Sequence, residues 1–305
     1  VTAEKLLSGD FGSEFETFFA DRFPQRNTWV GLNAYTALAE GNNGASGVYN
    51  CKNGYLINKP VSTENNLDKN IGAVADFAKS IDTPTTVMLV PSTGYIVDDV
   101  LPTFHDKYND DEDISKISST LSKDKIGFVD LRERFKSEYK NGSQLYYKTD
   151  HHWTTKGAYT GYQELCKTLG ITPIDDSTLK KDSYPDFYGT TYSSSGFWLT
   201  PPDNIEIWNN PKNSDRNISV KITEGANIKT SGSMYFTDHL KEDDKYPVFI
   251  DGNHALTEIT NTNAKNGTIL LIKDSFSHSL APFLAENYSK VVLVDLRYYK
   301  ESVSD

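Results

Sequence analysis

Four short apolar runs constrain the fold most. Thr86-Val87-Met88-Leu89-Val90 runs into Pro91-Ser92-Thr93-Gly94, and Ile126-Gly127-Phe128-Val129 closes on Asp130. Thr268-Ile269-Leu270-Leu271-Ile272-Lys273 lies between Gly267 and Asp274, and Val291-Val292-Leu293-Val294 ends at Asp295. Continuous apolar runs of this length suit strands covered on both faces of a parallel sheet. Helical stretches separate them: Ile114 to Leu121, Ala158 to Leu169 and Leu280 to Glu286, the last with Pro282 expected in its first turn. Alternating strands and helices predict an α/β fold with a central, mostly parallel, doubly wound sheet and helices on both faces. In such a fold chemistry is mounted on the loops at the carboxyl ends of the strands.

Ahead of the sheet, Leu6 to Phe23 reads as an amphipathic helix with Phe11, Phe15, Phe18 and Phe19 as its apolar residues, ended by Pro24. A second helix runs from about Asn27 to Ala39. Val48-Tyr49 and Tyr55-Leu56-Ile57, joined through Lys52-Asn53-Gly54, form a hairpin on a favoured Asn-Gly turn. Thr63 to Ser80 is a further helix. From Ser183 to about Asp251 the alternation breaks into Tyr, Ser, Asn and Pro with short strands, Ile205–Trp208 and Ile218–Ile222, half exposed to water. We read residues 183–251 as a β-rich insertion over the sheet and the whole chain, 1–305, as one domain.

Tyr147 to Tyr159 is the stretch that carries chemistry. Asp150, His151 and His152 stand in a loop before a helix that Thr154 or Thr155 can cap. A carboxylate on one nitrogen of an imidazole sets its tautomer and steadies the imidazolium. Such a pair calls for a nucleophile, and Ser275 is the candidate. It follows a strand and precedes a helix, so its hydroxyl reaches the top of the sheet and the amides of the turn can face a developing oxyanion. Ser92 is a rival nucleophile and His278 a rival base, whereas His105 and His239 read as solvated loop residues. In a competing metal reading Asp150, His151 and His152 are ligands with Asp130 or Asp295, but no helical His pair at ligand spacing supports it.

These residues carry a resemblance. Thr149-Asp150-His151-His152-Trp153-Thr154, with Ile272-Lys273-Asp274-Ser275-Phe276 far downstream, resembles the DHHW proteins. Through them it is similar to the SGNH-hydrolase-like domains of bacterial polysaccharide O-acetyltransferases, including the alginate acetylation proteins. Phe19 to Arg26 resembles the family's Phe-Pro-x-Arg signature, and Val48 to Leu56 its early hairpin. The resemblance implies an SGNH-hydrolase-like α/β/α sandwich in permuted order. Asp150 is then the orienting acid, His152 the base, Ser275 the nucleophile, and His151 a variable position. It further implies a carbohydrate acceptor, a membrane-bound O-acyltransferase as acetyl donor, and an extracytoplasmic location. Val1 in place of Met fits a start from which a signal or anchor was removed.

Other readings stay open beside it. Asp251-Gly252-Asn253-His254 offers Gly252 and Asn253 as oxyanion donors, or an ordinary turn. Tyr188 to Trp198 offers Tyr188, Tyr192 and Trp198 to a sugar, or is a surface loop with buried aromatics. A formal charge of -11 argues against nucleic acid as a partner. Cys51 and Cys166 lack metal-ligand spacing and read as two buried thiols or one disulfide. No cofactor is expected. Transferase and esterase use the same triad, and a silent polysaccharide-binding protein is the alternative of a different class.

Overall fold

The computed structural model describes residues 25–61, 66–124 and 126–303. The helix expected over Leu6 to Phe23, most of the Phe-Pro-x-Arg signature and the start of the third helix lie outside them. Helix α1 spans Arg26–Ala39, and the short strands β1 (Gly44–Ala45), β2 (Val48–Asn50) and β3 (Leu56–Asn58) form one antiparallel sheet. The β2–β3 turn is the one its Asn-Gly pair dictates, with Asn53 at φ 58° and Gly54 at φ 77°. Helix α2 (Leu67–Ser80) follows, then β4 (Thr86–Leu89), the short helix α3 (Thr93–Ile96), helix α4 (Asp110–Lys123), β5 (Gly127–Asp130) and α5 (Arg132–Lys140). Strands β4 and β5 pair in parallel as a two-stranded sheet.

Helix α6 (Thr155–Leu169) begins where Thr154 accepts a hydrogen bond from the Gly157 amide at 3.1 Å, and stops at Gly170 in the left-handed region, φ 68°. An antiparallel ribbon, β6 (Lys180–Phe187) and β7 (Asp203–Asn209), encloses helix α7 (Thr190–Ser195). Pro185 sits where the β6–β7 register shifts between Tyr184 and Phe187, a place for a residue with no N–H to give. The largest sheet has five strands in the order β11 (Asn266–Ile272), β12 (Tyr288–Val294), β10 (Leu256–Asn261), β8 (Ile218–Glu224) and β9 (Asn227–Ser231). Helix α8 (Ser277–Asn287) joins β11 to β12 and is buried on all sides from His278 to Ala285.

The fold is α/β, but the central, mostly parallel sheet is not what forms. Parallel pairing occurs in β4–β5 and in β11–β12, which belong to different sheets, and the other strands of the five-stranded sheet pair antiparallel. The cause is β10, a strand outside the four apolar runs, which pairs antiparallel with both β12 and β8. Through it, β8 and β9 extend the sheet sideways instead of lying over it. The strand before Ser275 is likewise not covered on both faces. As edge strand β11 it leaves Leu270 and Ile272 46% and 43% exposed. An apolar run states that side chains avoid water but not which partner covers each face. Pro282 falls in the interior of α8, not its first turn, since that helix begins at Ser277.

The main core lies between α6, α8 and the five-stranded sheet. Phe135, Tyr146, Trp153, Ala158, Tyr162, Phe283, Leu284, Val291 and Leu293 pack there. Cys51 and Cys166 are both buried free thiols, and burial pushes them up to about 12 and about 11.

Candidate active site

Trp153 brings the two distant stretches together. Its ring is fully buried against α6, where a Cβ on Gly161 would lie 2.8 Å from the indole and a Cβ on Gly157 would lie 2.3 Å from the Leu145 carbonyl oxygen and 2.9 Å from the Trp153 Cβ. Gly161 leaves room for the indole on that face, and Gly157, one helical turn earlier, lets the helix pass close to the Leu145 backbone. The indole Nε1 then donates at 2.9 Å to the carbonyl of Phe276 and to Ser279 Oγ. The loop before α6 is thereby bolted to the turn between β11 and α8.

Across that junction Asp150, His152 and Ser275 meet. His152 Nδ1 lies 2.5 Å from Asp150 Oδ1, and His152 Nε2 lies 2.7 Å from Ser275 Oγ. The Asp150 carboxylate is fully buried and has donors for both oxygens. Oδ1 also accepts from the His152 amide at 2.9 Å; Oδ2 accepts from the Thr190 amide at 2.8 Å and from Thr190 Oγ1 at 2.9 Å. Burial alone would raise this carboxyl, but the bonds from His152 and Thr190 outweigh it and hold Asp150 well below the usual carboxylate range. An ionised Asp150 fixes the proton on Nδ1, which leaves Nε2 free to take one from the serine hydroxyl.

The site's outer shell comes largely from residues that no local signal singles out. Asp203, at the start of β7, is buried and accepts from the Lys148 amide at 2.9 Å, from the Thr149 amide and Oγ1 at 2.7 Å each, and from Gln144 Nε2 at 3.1 Å. Gly189 is there because Asp150 leaves no space: a Cβ at 189 would stand 2.2 Å from the Asp150 Cβ. His151 Nδ1 donates to Thr190 Oγ1 at 2.6 Å, and burial, then the neighbouring His152, lowers its pKa, so it remains an uncharged neighbour.

The remaining sequence candidates are spread more widely. Tyr188 and Tyr192 pack with ring centroids 4.5 Å apart and planes tilted by 45°, and the Tyr192 amide donates at 2.9 Å to the carbonyl of Thr149, the residue before the acid. Trp198 lies farther out, 40% exposed and 5.6 Å from Tyr35. Gly252 takes φ 83° in a turn, and Asn253 is exposed with its Oδ1 accepting from Arg297 Nη2 at 3.1 Å. Neither Gly252 nor Asn253 hydrogen-bonds Asp150, His152 or Ser275. Arg297 in turn grips Asp295, which pairs with Lys273 at 3.0 Å, two residues before the serine.

The rivals are committed elsewhere. The Ser92 amide donates to Asp110, and Ser92 stands at the head of α3. His278 is buried, with Nε2 accepting from Lys273 Nζ at 2.8 Å, and burial together with that ammonium drives its pKa well down. Asp150, His151 and His152 do offer ligand atoms within 4.8 Å of one another. The carboxylates invoked beside them are bound to cations, Asp130 to Arg132 at 2.5 Å and Asp295 to Lys273 and Arg297.

His239 is not a solvated loop residue. Its Nε2 meets Asp251 at 3.0 Å and its Nδ1 meets Glu242 at 3.1 Å, while His254 holds the other Asp251 oxygen at 3.1 Å. Burial alone would lower His239, but the two carboxylates outweigh it and raise its pKa. A raised folded value adds stability that is full below the unfolded value of about 6.5 and is lost as pH rises through the folded value. We therefore expect His239→Gln to melt below the wild type in acid solution and the difference to close at alkaline pH. A difference in melting temperature that is constant with pH would contradict this.

Comparison with known proteins places the chain. No curated protein matches it. Among solved structures, a DHHW family protein from Eubacterium siraeum DSM 15702 is 19% identical with a TM-score of 0.68, covering 84% of this chain and 85% of that one. Bacillus cereus PatB1, in a structure with a sulfonyl adduct, is 21% identical with a TM-score of 0.67, covering 82% of this chain and 86% of that one. Both share its fold. No helix among the described residues is long and apolar enough to cross a membrane. Matched by the family model over residues 48–294, which take in the hairpin, both halves of the site and the last strand, the chain belongs to the DHHW protein family.

Proposed function

We propose that the chain is a serine-dependent acyl-transfer enzyme, an extracytoplasmic O-acetyltransferase that works on a cell-wall or exported polysaccharide. The observation that carries the reading is the unbroken relay Asp150–His152–Ser275, with contacts of 2.5 and 2.7 Å. In this reading His152 Nε2 takes the proton of Ser275 Oγ as that oxygen attacks an acetyl carbonyl. The Ser275 backbone amide, with the Asn253 side chain as a further candidate, faces the oxyanion in this scheme; the amides of Phe276, Ser277, His278 and Gly252 already donate to oxygens of their own turns. The intermediate collapses as His152 returns the proton to the leaving oxygen, and an acetyl-serine remains. A sugar hydroxyl, deprotonated by the same imidazole, then attacks that ester and carries the acetyl group away.

The acetyl donor is a membrane-bound O-acyltransferase in this scheme. That assignment and the location rest on the resemblance to polysaccharide O-acetyltransferases. The aromatic pair Tyr188 and Tyr192 beside Asp150 favours a sugar acceptor, because sugars stack on aromatic faces. An esterase differs only in that water is the acceptor, and a silent polysaccharide-binding protein would bind the sugar without turnover.

Intact-protein mass spectrometry tests the reading. Brief exposure to an activated acetyl ester is expected to add one acetyl group at Ser275, and Ser275→Ala is expected to stay unmodified. Added oligosaccharide should discharge the adduct and appear acetylated; discharge at an unchanged rate, with free acetate, would make the protein an esterase. If neither protein is modified and no ester is hydrolysed, the nucleophile assignment is wrong and the binding protein becomes the better reading.

A further inference from the structure

The imidazole of His152 is held on both faces. Tyr246 lies parallel to it, with ring centroids 3.8 Å apart and planes 8° from each other. The ring of His151 is also 3.8 Å away, tilted by 36°. Two rings that close cannot share a face, so His151 takes the other side. Tyr246 opens the helical turn Tyr246–Val248, is 4% exposed, and has Tyr147 and Phe249 edge-on against it. Its hydroxyl donates to the carbonyl of Ser275 at 3.1 Å and lies 3.2 Å from Ser279 Oγ, the hydroxyl that Trp153 also binds.

One residue therefore touches the base with its ring and the nucleophile's backbone with its hydroxyl. We propose that Tyr246 is a positioning residue that locks His152 and Ser275 into one rigid unit, so that the Nε2 lone pair stays aimed at the serine hydroxyl. The inference rests on the serine acyl-transfer reading and adds to it. Asp150 fixes the imidazole at Nδ1 only and leaves the ring free to rock about that contact; a parallel ring packed against its face removes the motion. The electron-rich face of the phenol also favours the imidazolium that forms when the serine proton arrives. Burial pushes the phenol pKa up, so its hydroxyl stays a donor.

Sulfonylation by phenylmethylsulfonyl fluoride isolates this step. Ser275 Oγ bonds to sulfur, fluoride leaves, and the serine proton passes to His152. Tyr246→Phe keeps the ring and loses one hydrogen bond, so its limiting labelling rate should fall about 5-fold. Tyr246→Met removes the ring at similar volume, and its limiting rate should fall on the order of 50-fold with an unchanged half-saturating concentration, as a misaimed base requires. Equal loss in the two variants, or Tyr246→Met labelling at the wild-type rate, overturns the role of the ring. Near-UV circular dichroism reports whether the Met variant is folded. If it is not, Tyr246→Phe decides the matter alone: it should keep the downfield proton resonance of the His152–Asp150 bond, and its loss overturns the inference. A wild type that never labels at Ser275 instead refutes the nucleophile assignment and leaves nothing for Tyr246 to position.

Discussion

Asp150→Asn is expected to slow acylation of Ser275 about 10⁴-fold while the protein stays folded. The carboxylate is buried and its two oxygens together meet four donors, namely the His152 amide and Nδ1 and the Thr190 amide and Oγ1. An asparagine is nearly isosteric, so packing against Gly189 survives. Its one carbonyl oxygen, however, cannot serve both sides. If that oxygen stays with Thr190, the amide NH₂ faces His152 Nδ1 and forces the imidazole proton onto Nε2, where it points at Ser275 and blocks proton transfer. If the side chain flips, Thr190 meets an NH₂ group in place of an acceptor, and the negative charge is lost either way. The rate of acetyl-serine formation measures the effect, and a melting curve shows that the fold is kept. A variant within about 10-fold of wild type would mean that Asp150 does not orient the base.

Lys273→Met is expected to destabilise the protein by about 3–5 kcal/mol, as removal of one partner from a buried ion pair does. The side chains of Lys273 and Asp295 are 2% and 1% exposed and 3.0 Å apart at the carboxyl ends of β11 and β12. Without the ammonium, Asp295 keeps Arg297, whose side chain is half exposed, and His278 Nε2 loses the Lys273 ammonium that donates to it. The double variant Lys273→Met with Asp295→Leu should recover much of the loss, because two apolar groups replace two buried charges. Urea denaturation of the single and double variants measures both numbers. A single variant as stable as wild type, or a double variant no better than the single, would show that the pair does not hold the strand ends together. The position matters beyond stability, since Ser275 lies two residues from Lys273 on the same strand end.

How far the sequence could be read follows the range of each interaction. The hairpin was legible because the Asn53-Gly54 conformation is decided by the residues themselves, and the start of α6 was legible from Thr154, whose capping is equally local. The antiparallel course of the five-stranded sheet was not, because strand order depends on which edge β10 finds, and nothing within Leu256–Asn261 encodes that. Tyr246 was equally hidden. It stands 29 residues before Ser275 in a loop of mixed composition, and only the packing of that loop lays its ring on His152. Asp203, Gly189 and Thr190 come from the same stretch, 183–251, where alternation is weak and periodicity says least.

By itself, then, the chain determined its class, its family and the neighbours that chemistry makes obligatory: a carboxylate two residues from an imidazole, and a serine at a strand-to-helix turn. Those depend on residue type and short spacing, which a linear chain states directly. Tertiary structure alone decided that Trp153 spans from the loop before α6 to the turn before α8, that β8 and β9 widen the sheet, and that Asp150 is satisfied from α7. Each of these joins residues far apart in sequence, and their pairing is chosen by the burial and hydrogen bonding of the whole fold.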